Sequence, residues 1–256
     1  MLQRCIETFR IPDSSAPSLT NYRLLVEYLE RRSVVRKQEC FKMPLFVLKT
    51  SANVRDYQIE CAIRAHKKSG FIEAPCGSGK TLIGLLTAFK NGGRILVLTP
   101  RYVNQWVDTI QSFFSPIDEY NVWTYRSTDS TCVFDKIPDV VIATYSAFCT
   151  NNTNIACRLV KQMHFTTVVL DEAHNAASIT NIRLIDRLHA TFFCALTATK
   201  VREDEQLLKL ESRVGPTLVD IPRSILVRQG YVKDVKCFKL LVPYTKCLEA
   251  IMKKSV

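Results

Sequence analysis

No apolar run in the 256-residue chain approaches the ~18–20 residues that a membrane-spanning helix requires. The first residues, MLQRCIETFR, lack the apolar core of a secretory signal, which points to an intracellular protein with no membrane partner. Ten cysteines are present, yet no two are spaced as Cys-x-x-Cys. In a reducing compartment the expectation for them is free, mostly buried thiols. Cys132, Cys149 and Cys157 with His164 are spaced too widely to make a strong metal set. Internal repeats and long low-complexity segments are also missing, which excludes solenoid and array architectures. Acidic residues are in short supply, 24 against 35 Lys and Arg, giving a formal charge of +11. That excess fits a polyanionic partner, nucleic acid first and an anionic membrane surface second, though a merely basic surface accounts for it equally well. Since 47% of the residues are apolar, one large domain can bury a substantial core.

From about residue 55 onward, short apolar runs alternate with stretches of helical spacing. Strands are expected at Phe71–Glu73, Arg94–Leu98, Asn121–Thr124, Val140–Ala143, Thr167–Leu170 and Phe192–Leu196. Helices are expected at Thr81–Lys90, Val103–Phe113 and Asn181–Leu188, with another opening at Arg55 and running to about His66. Such alternation predicts an α/β fold with a mostly parallel sheet covered by helices on both faces. Residues 1–50 form a short N-terminal accessory element, with a Pro/Ser-rich turn, a helix at Tyr22–Arg32 and a possible strand at Leu45–Leu48. Its basic cluster of Arg31, Arg32, Arg36 and Lys37 reads as a solvated helix face before it reads as a DNA contact or an import signal. Residues 51–222 are then the main domain, and residues 223–256 a linker or the start of another unit.

Residues Ala74–Thr81 read APCGSGKT, directly after an expected strand and opening an expected helix. A phosphate chain needs close backbone N–H groups and the positive end of a helix, and Gly77 and Gly79 let the backbone approach without a Cβ in the way. Pro75, Cys76 and Ser78 complete the cradle. Lys80 can reach the terminal phosphates, and Thr81 can place its hydroxyl on Mg2+. Ala74 stands where the general phosphate-loop pattern has glycine. Further along, Val168–His174 read VVLDEAH, an apolar strand ending in two acids. Asp171 at the strand tip can hold Mg2+ through water, and Glu172 can orient and deprotonate an attacking water. Gln58, on the helix upstream of the loop, carries donor and acceptor on one amide, which suits an adenine edge. His174 has two readings, a coupling residue or a structural histidine.

At the end of the second expected strand Leu98–Arg101 read LTPR, with Gln105 and Trp106 on the next helix. Thr99 and Arg101 suit a grip on phosphate oxygens that reads no sequence. Thr144, in Ala143–Ser146 (ATYS), repeats the arrangement at another strand end. Trp106 is expected in the core and not as a stacking platform. Leu196–Thr199 read LTAT, and a charged run from Arg202 follows, which alone is an ordinary solvated helix start.

The order RDYQ, APCGSGKT, LTPR, ATYS, DEAH, LTAT resembles that of superfamily-two helicases. The segment LTATKVREDEQLLKL, followed by VGPTLVDIP and QGYVKDVKC, resembles the XPB group of DNA helicases, over about residues 52–242. That resemblance implies a RecA-like P-loop NTPase domain using ATP and Mg2+, with Lys80, Asp171 and Glu172 catalytic. It implies that His174, Thr197 and Thr199 couple the nucleotide to domain movement, and that Arg202, Glu203 and Asp204 assist unwinding. Its implied partner is DNA at a single-strand/duplex junction, and its implied setting is nuclear repair or transcription, or a virus. Members of the group have a longer N-terminal region and a second RecA-like domain. The expectation is therefore the N-terminal half of a motor, whose arginine fingers come from that second domain or from a partner chain. Such an arginine contributes roughly 10³–10⁵ in rate, so slow turnover is expected from this half alone. An ATP- and nucleic-acid-binding half-motor without unwinding activity, and an RNA helicase, are the alternatives.

Overall fold

The computed structural model describes residues 46–116, 121–126, 137–149, 160–198 and 205–234. Seven strands form one sheet: β2 (Gly70–Glu73), β3 (Ile95–Thr99), β5 (Val122–Tyr125), β6 (Val140–Thr144), β7 (His164–Leu170), β8 (His189–Thr197) and β9 (Thr217–Asp220). Their order is β5-β6-β3-β7-β8-β2-β9, and every neighbouring pair is parallel. Parallel neighbours require crossovers, and helices lie in most of these connections. Helix α1 (Asp56–Ala65) precedes β2; α2 (Lys80–Asn91), α3 (Val103–Phe113), α4 (Tyr145–Cys149), α5 (Ala173–Ala176), α6 (Ile179–Ile185) and α7 (Glu205–Val214) lie between strands of the sheet; and α8 (Arg223–Arg228) follows β9. A separate antiparallel pair joins β1 (Phe46–Leu48) to β4 (Phe114–Pro116).

The central strands are apolar throughout because both of their faces are covered. Along β3, Leu96 and Leu98 enter one core with Val168, Leu170, Val141 and Phe148. Ile95 and Val97 enter the other, with Val169, Ile142, Leu196 and the buried side of α2. All four β3 side chains are fully buried, and each such burial contributes roughly 1.5–3 kcal/mol. Helix α2 is buried at eight consecutive positions, Leu82–Phe89, since it lies between the sheet and helices α1 and α3.

The expected strands and helices are present within two or three residues at most ends, and α3 has the expected bounds. Strand β7 begins at His164 and β8 at His189, three residues before the apolar runs that marked them. Backbone pairing there continues through half-exposed positions. Strands β4 and β9 and helices α4, α5 and α8 have no counterpart among the expected elements. They are short, and β9 earns its place only by pairing with β2. Cys61 and Cys194 are free and buried, their thiols pushed up to about 11 and about 12, in both cases chiefly by burial. Residues 1–45, with the basic cluster of Arg31, Arg32, Arg36 and Lys37, and residues 235–256 lie outside the described residues, as do Cys132 and Cys157. Among the described residues, no helix is long and apolar enough to cross a membrane.

Candidate functional site

Strand register brings the motifs to one edge of the sheet. Glu73 pairs with Thr197, Thr99 with Thr144, and Leu98 with Leu170. The loops that follow β2, β3, β6, β7 and β8 therefore leave the same edge together, as carboxyl ends of parallel strands do. Two backbone bonds lock the central ones: Ala74 N–H donates to the Thr197 carbonyl at 2.9 Å, and Asp171 N–H to the Leu98 carbonyl at 2.8 Å.

The loop between β2 and α2 is built around two residues of positive φ, Gly77 (82°) and Gly79 (80°). Only glycine takes such angles without strain, and Gly79 is also approached closely. A Cβ there would lie 2.4 Å from Gln58 Nε2. The loop is tied from below by α1. Gln58 is buried, donating through Nε2 to the Ser78 carbonyl at 2.9 Å while its Oε1 accepts the Arg55 N–H at 3.0 Å. The Tyr57 hydroxyl donates to the same carbonyl at 2.6 Å. Pro75 is half-buried, and Cys76 and Gly77 are exposed on the outer side of the loop. Ser78 Oγ is fully buried with no hydrogen-bond partner among the described residues. A buried hydroxyl left in that condition, inside a glycine-shaped turn at the start of a helix, fits an anionic oxygen as its partner.

Lys80 and Thr81 open α2. Lys80 Nζ stands 3.7 Å from Glu172 Oε1, so the loop and the DEAH segment face one another across the site. Glu172 lies just beyond β7 with φ 46° and ψ 61°, a left-handed conformation that costs a non-glycine residue of order 1–3 kcal/mol. Its other oxygen, Oε2, is 3.4 Å from His174 Nδ1. One carboxylate between an ammonium and an imidazole is placed to accept a proton from water.

Asp171 is held differently. Its Oδ2 accepts from Thr99 Oγ1 at 2.9 Å and from Trp106 Nε1 at 3.2 Å, and neither bond uses Oδ1. Burial pushes its carboxyl above the usual range, and the two donors partly oppose that rise. The buried Tyr145 hydroxyl donates to the Asp171 carbonyl at 2.9 Å and fixes the main chain. Gln105 Nε2 donates to Thr81 Oγ1 at 3.2 Å. A threonine hydroxyl and a carboxylate on facing loops are hard oxygen donors, which suits Mg2+.

Trp106 is in the core as expected and 1% exposed, yet its indole N–H serves the site. That role, and those of Tyr145 and Gln105, were not read from the sequence. The available signal was that a buried indole or phenol finds a hydrogen-bond partner. The hydroxyls of the expected nucleic-acid track are engaged inside the fold. Thr99 is fully buried against Asp171, and Thr144 accepts from Ala147 N–H at 3.3 Å, capping α4. Thr197 is also buried. Arg101 is exposed and lines a groove of about 510 Å³ with Tyr102, Asn104, Gln105, Asp108 and Arg126, where Arg126 bonds Asn104. Thr199, Arg202, Glu203 and Asp204 lie outside the described residues.

Comparison with known proteins agrees with this geometry. The family described as "Type III restriction enzyme, res subunit" (ResIII) matches residues 51–202. The general transcription and DNA repair factor IIH helicase/translocase subunit XPB/SSL2 of Saccharomyces cerevisiae is 29% identical over 210 residues, 77% of this chain and 25% of that protein. The XPB subunit of Danio rerio is 30% identical over 234 residues, 87% of this chain and 29% of that protein. The chain thus spans under a third of the length of these relatives. In fold it is similar to the Hef helicase domain of Pyrococcus furiosus, with a TM-score of 0.56 and 22% identity over 72% of this chain and 41% of that one. The chain belongs to the ResIII family, and is of the XPB type among superfamily-two helicases in its RecA-like, DEAH-box domain.

Proposed function

We infer that this chain is the ATP-binding half of a DNA helicase or translocase. The observation that carries the reading is the meeting of two loops from separate strands. The glycine-shaped cradle with Lys80 faces Glu172 across 3.7 Å, and Asp171 is held beside them by Thr99 and Trp106. Lys80 binds the terminal phosphates as a point charge, and Gly77–Gly79 admit the phosphate oxygens to the backbone N–H groups. Thr81 and Asp171 would hold Mg2+, which when bound would neutralise phosphate charge. Glu172 orients the attacking water and takes its proton at a carboxylate oxygen. His174, against the same carboxylate, relays the state of the site to the adjoining loops.

DNA is the polyanion that the charge excess serves, through phosphate contacts at Arg101 and the loops beside it. The names of the relatives, a transcription and repair factor's helicase/translocase subunit, support DNA as the substrate and a nuclear setting. Arginine fingers come from a second RecA-like domain or a partner chain. Residues 202–204 assist strand separation, and Thr197 and Thr199 link γ-phosphate state to domain movement.

The test is ATP hydrolysis by the chain with and without DNA, beside Lys80→Ala and Glu172→Gln. The expected outcome is slow, Mg2+-dependent turnover that both substitutions abolish, with ATP binding lost only in Lys80→Ala. Wild-type ATP affinity in Lys80→Ala would sink the assignment.

A further inference from the structure

The turn that follows α8 lies against the phosphate loop and is fixed at both ends. Gly230, at φ 74°, donates its N–H to the Val227 carbonyl at 3.0 Å, and Tyr231 N–H donates to the Leu226 carbonyl at 2.9 Å. These bonds cap the helix and set where the Tyr231 side chain departs. Beyond it, Arg223 Nη2 donates to the Lys233 carbonyl at 2.7 Å. Between those ties, Val232 Cγ2 comes within 4.0 Å of the point that a Cβ on Gly77 would occupy.

The Tyr231 ring packs on the start of α1. Its centroid is 5.4 Å from that of Tyr57, with the rings tilted by 50°, and the Arg55 guanidinium carbon lies 4.9 Å over it. Arg55 Nη1 donates to the Tyr57 hydroxyl at 3.1 Å, and that hydroxyl donates to the Ser78 carbonyl. Contacts therefore run without a break from Tyr231 to the phosphate cradle. Tyr231 nevertheless remains 37% exposed, so it is not packed as core. Gln58 is 4% exposed, with its amide bonded to the Arg55 N–H and to the loop. Polar groups at this end of the site are thus occupied in bracing the loop, while the Tyr231 ring stays partly exposed with the Arg55 guanidinium over it. A nucleobase offers a π-face, which both groups attract.

We propose that Tyr231, together with Arg55, is the platform on which the nucleobase of the bound nucleotide stacks, and that the turn after α8 is a wall of the nucleotide site. The proposal rests on the ATP reading above. It also assigns a function to a segment otherwise outside the phosphate and metal machinery, more than 170 residues along the chain from Arg55 but adjacent to it in space.

The experiment is calorimetric titration of the full chain with the Mg2+ complexes of adenylyl imidodiphosphate and of inorganic tripolyphosphate, which shares the phosphate chain and lacks the base. Wild type is expected to bind the nucleotide more tightly than tripolyphosphate. Tyr231→Ala should weaken the nucleotide by about tenfold or more and leave tripolyphosphate unchanged, while Tyr231→Phe, which keeps the stacking face, should bind both as wild type does. Equal affinities of Tyr231→Ala and wild type for the nucleotide would overturn the platform. So would a parallel loss for both ligands, which marks a structural role. A wild-type chain that binds neither would overturn the ATP reading itself, and the platform with it.

Discussion

Asp171 illustrates how this site trades stability for function. Burial disfavours its charge and raises its pKa, while Thr99 and Trp106 donate to one oxygen and limit the rise. A carboxyl raised in the folded state contributes stability below its unfolded pKa and loses that contribution as pH rises through the folded value. Asp171→Asn keeps an oxygen for both donors and removes the buried charge. In metal-free buffer at neutral pH it should melt at a higher temperature than wild type, the gap closing as pH falls toward the ordinary carboxylate range, while Mg2+-dependent turnover is lost. Melting curves in EDTA across pH check the first part, and a gap that widens on acidification would refute it. Gly79→Ala probes the cradle. It forces a left-handed alanine onto Gln58 and should cost roughly 1–2 kcal/mol of stability as well as nucleotide affinity, read by denaturant melts and titration. The phosphate-loop and DEAH residues were legible in the sequence because their chemistry needs fixed types at fixed spacing. Trp106 and Tyr145 were not, since a buried aromatic residue carries no signal of where its polar tip will point.

Elements were legible where one apolar run settled both type and place. Strand β3 and helix α2 belong to that class, since burial on every side leaves no alternative periodicity. Strand β9 does not. Thr217–Asp220 is only four residues long with a single buried position, and what makes it a strand is the register Ile72–Val219 and Glu73–Asp220 on β2. That pairing depends on Gly70. Phe71 N–H donates to the Pro216 carbonyl at 2.9 Å, and a Cβ on Gly70 would lie 2.2 Å from the same oxygen. Backbone cannot yield as a side chain does, so Gly70→Ala should part the start of β9 from β2. A loss of roughly 1–3 kcal/mol is expected, with faster hydrogen exchange at residues 217–220 than at β3. Because β9 leads into α8 and the Tyr231 turn, the same substitution should weaken nucleotide binding from a distance.

Across the whole molecule, strand order divides the working edge. The loops after β7, β8 and β2 form the nucleotide side, while the tips of β5, β6 and β3 form the other, with Arg126, Thr144 and Arg101 in sequence along it. The Thr99–Asp171 hydrogen bond joins the halves, because Thr99 ends β3 and Asp171 follows β7. A phosphate track on the β3 side would be carried by the groove of Arg101 and Arg126, since the hydroxyls of Thr99 and Thr144 are already engaged within the fold. Arg101→Ala should weaken binding of duplex and single-stranded DNA alike, without regard to sequence, and lower the slope of log affinity against log salt by about one. Affinity for a nucleotide analogue in the absence of DNA should be unchanged, because Arg101 is on the loop after β3 and not on those after β2, β7 or β8. Fluorescence anisotropy at several salt concentrations measures the slope, and calorimetry the nucleotide. A steady slope in Arg101→Ala would move the DNA track away from this groove. A fall in nucleotide affinity without DNA would mean that the two sides of the edge are one site.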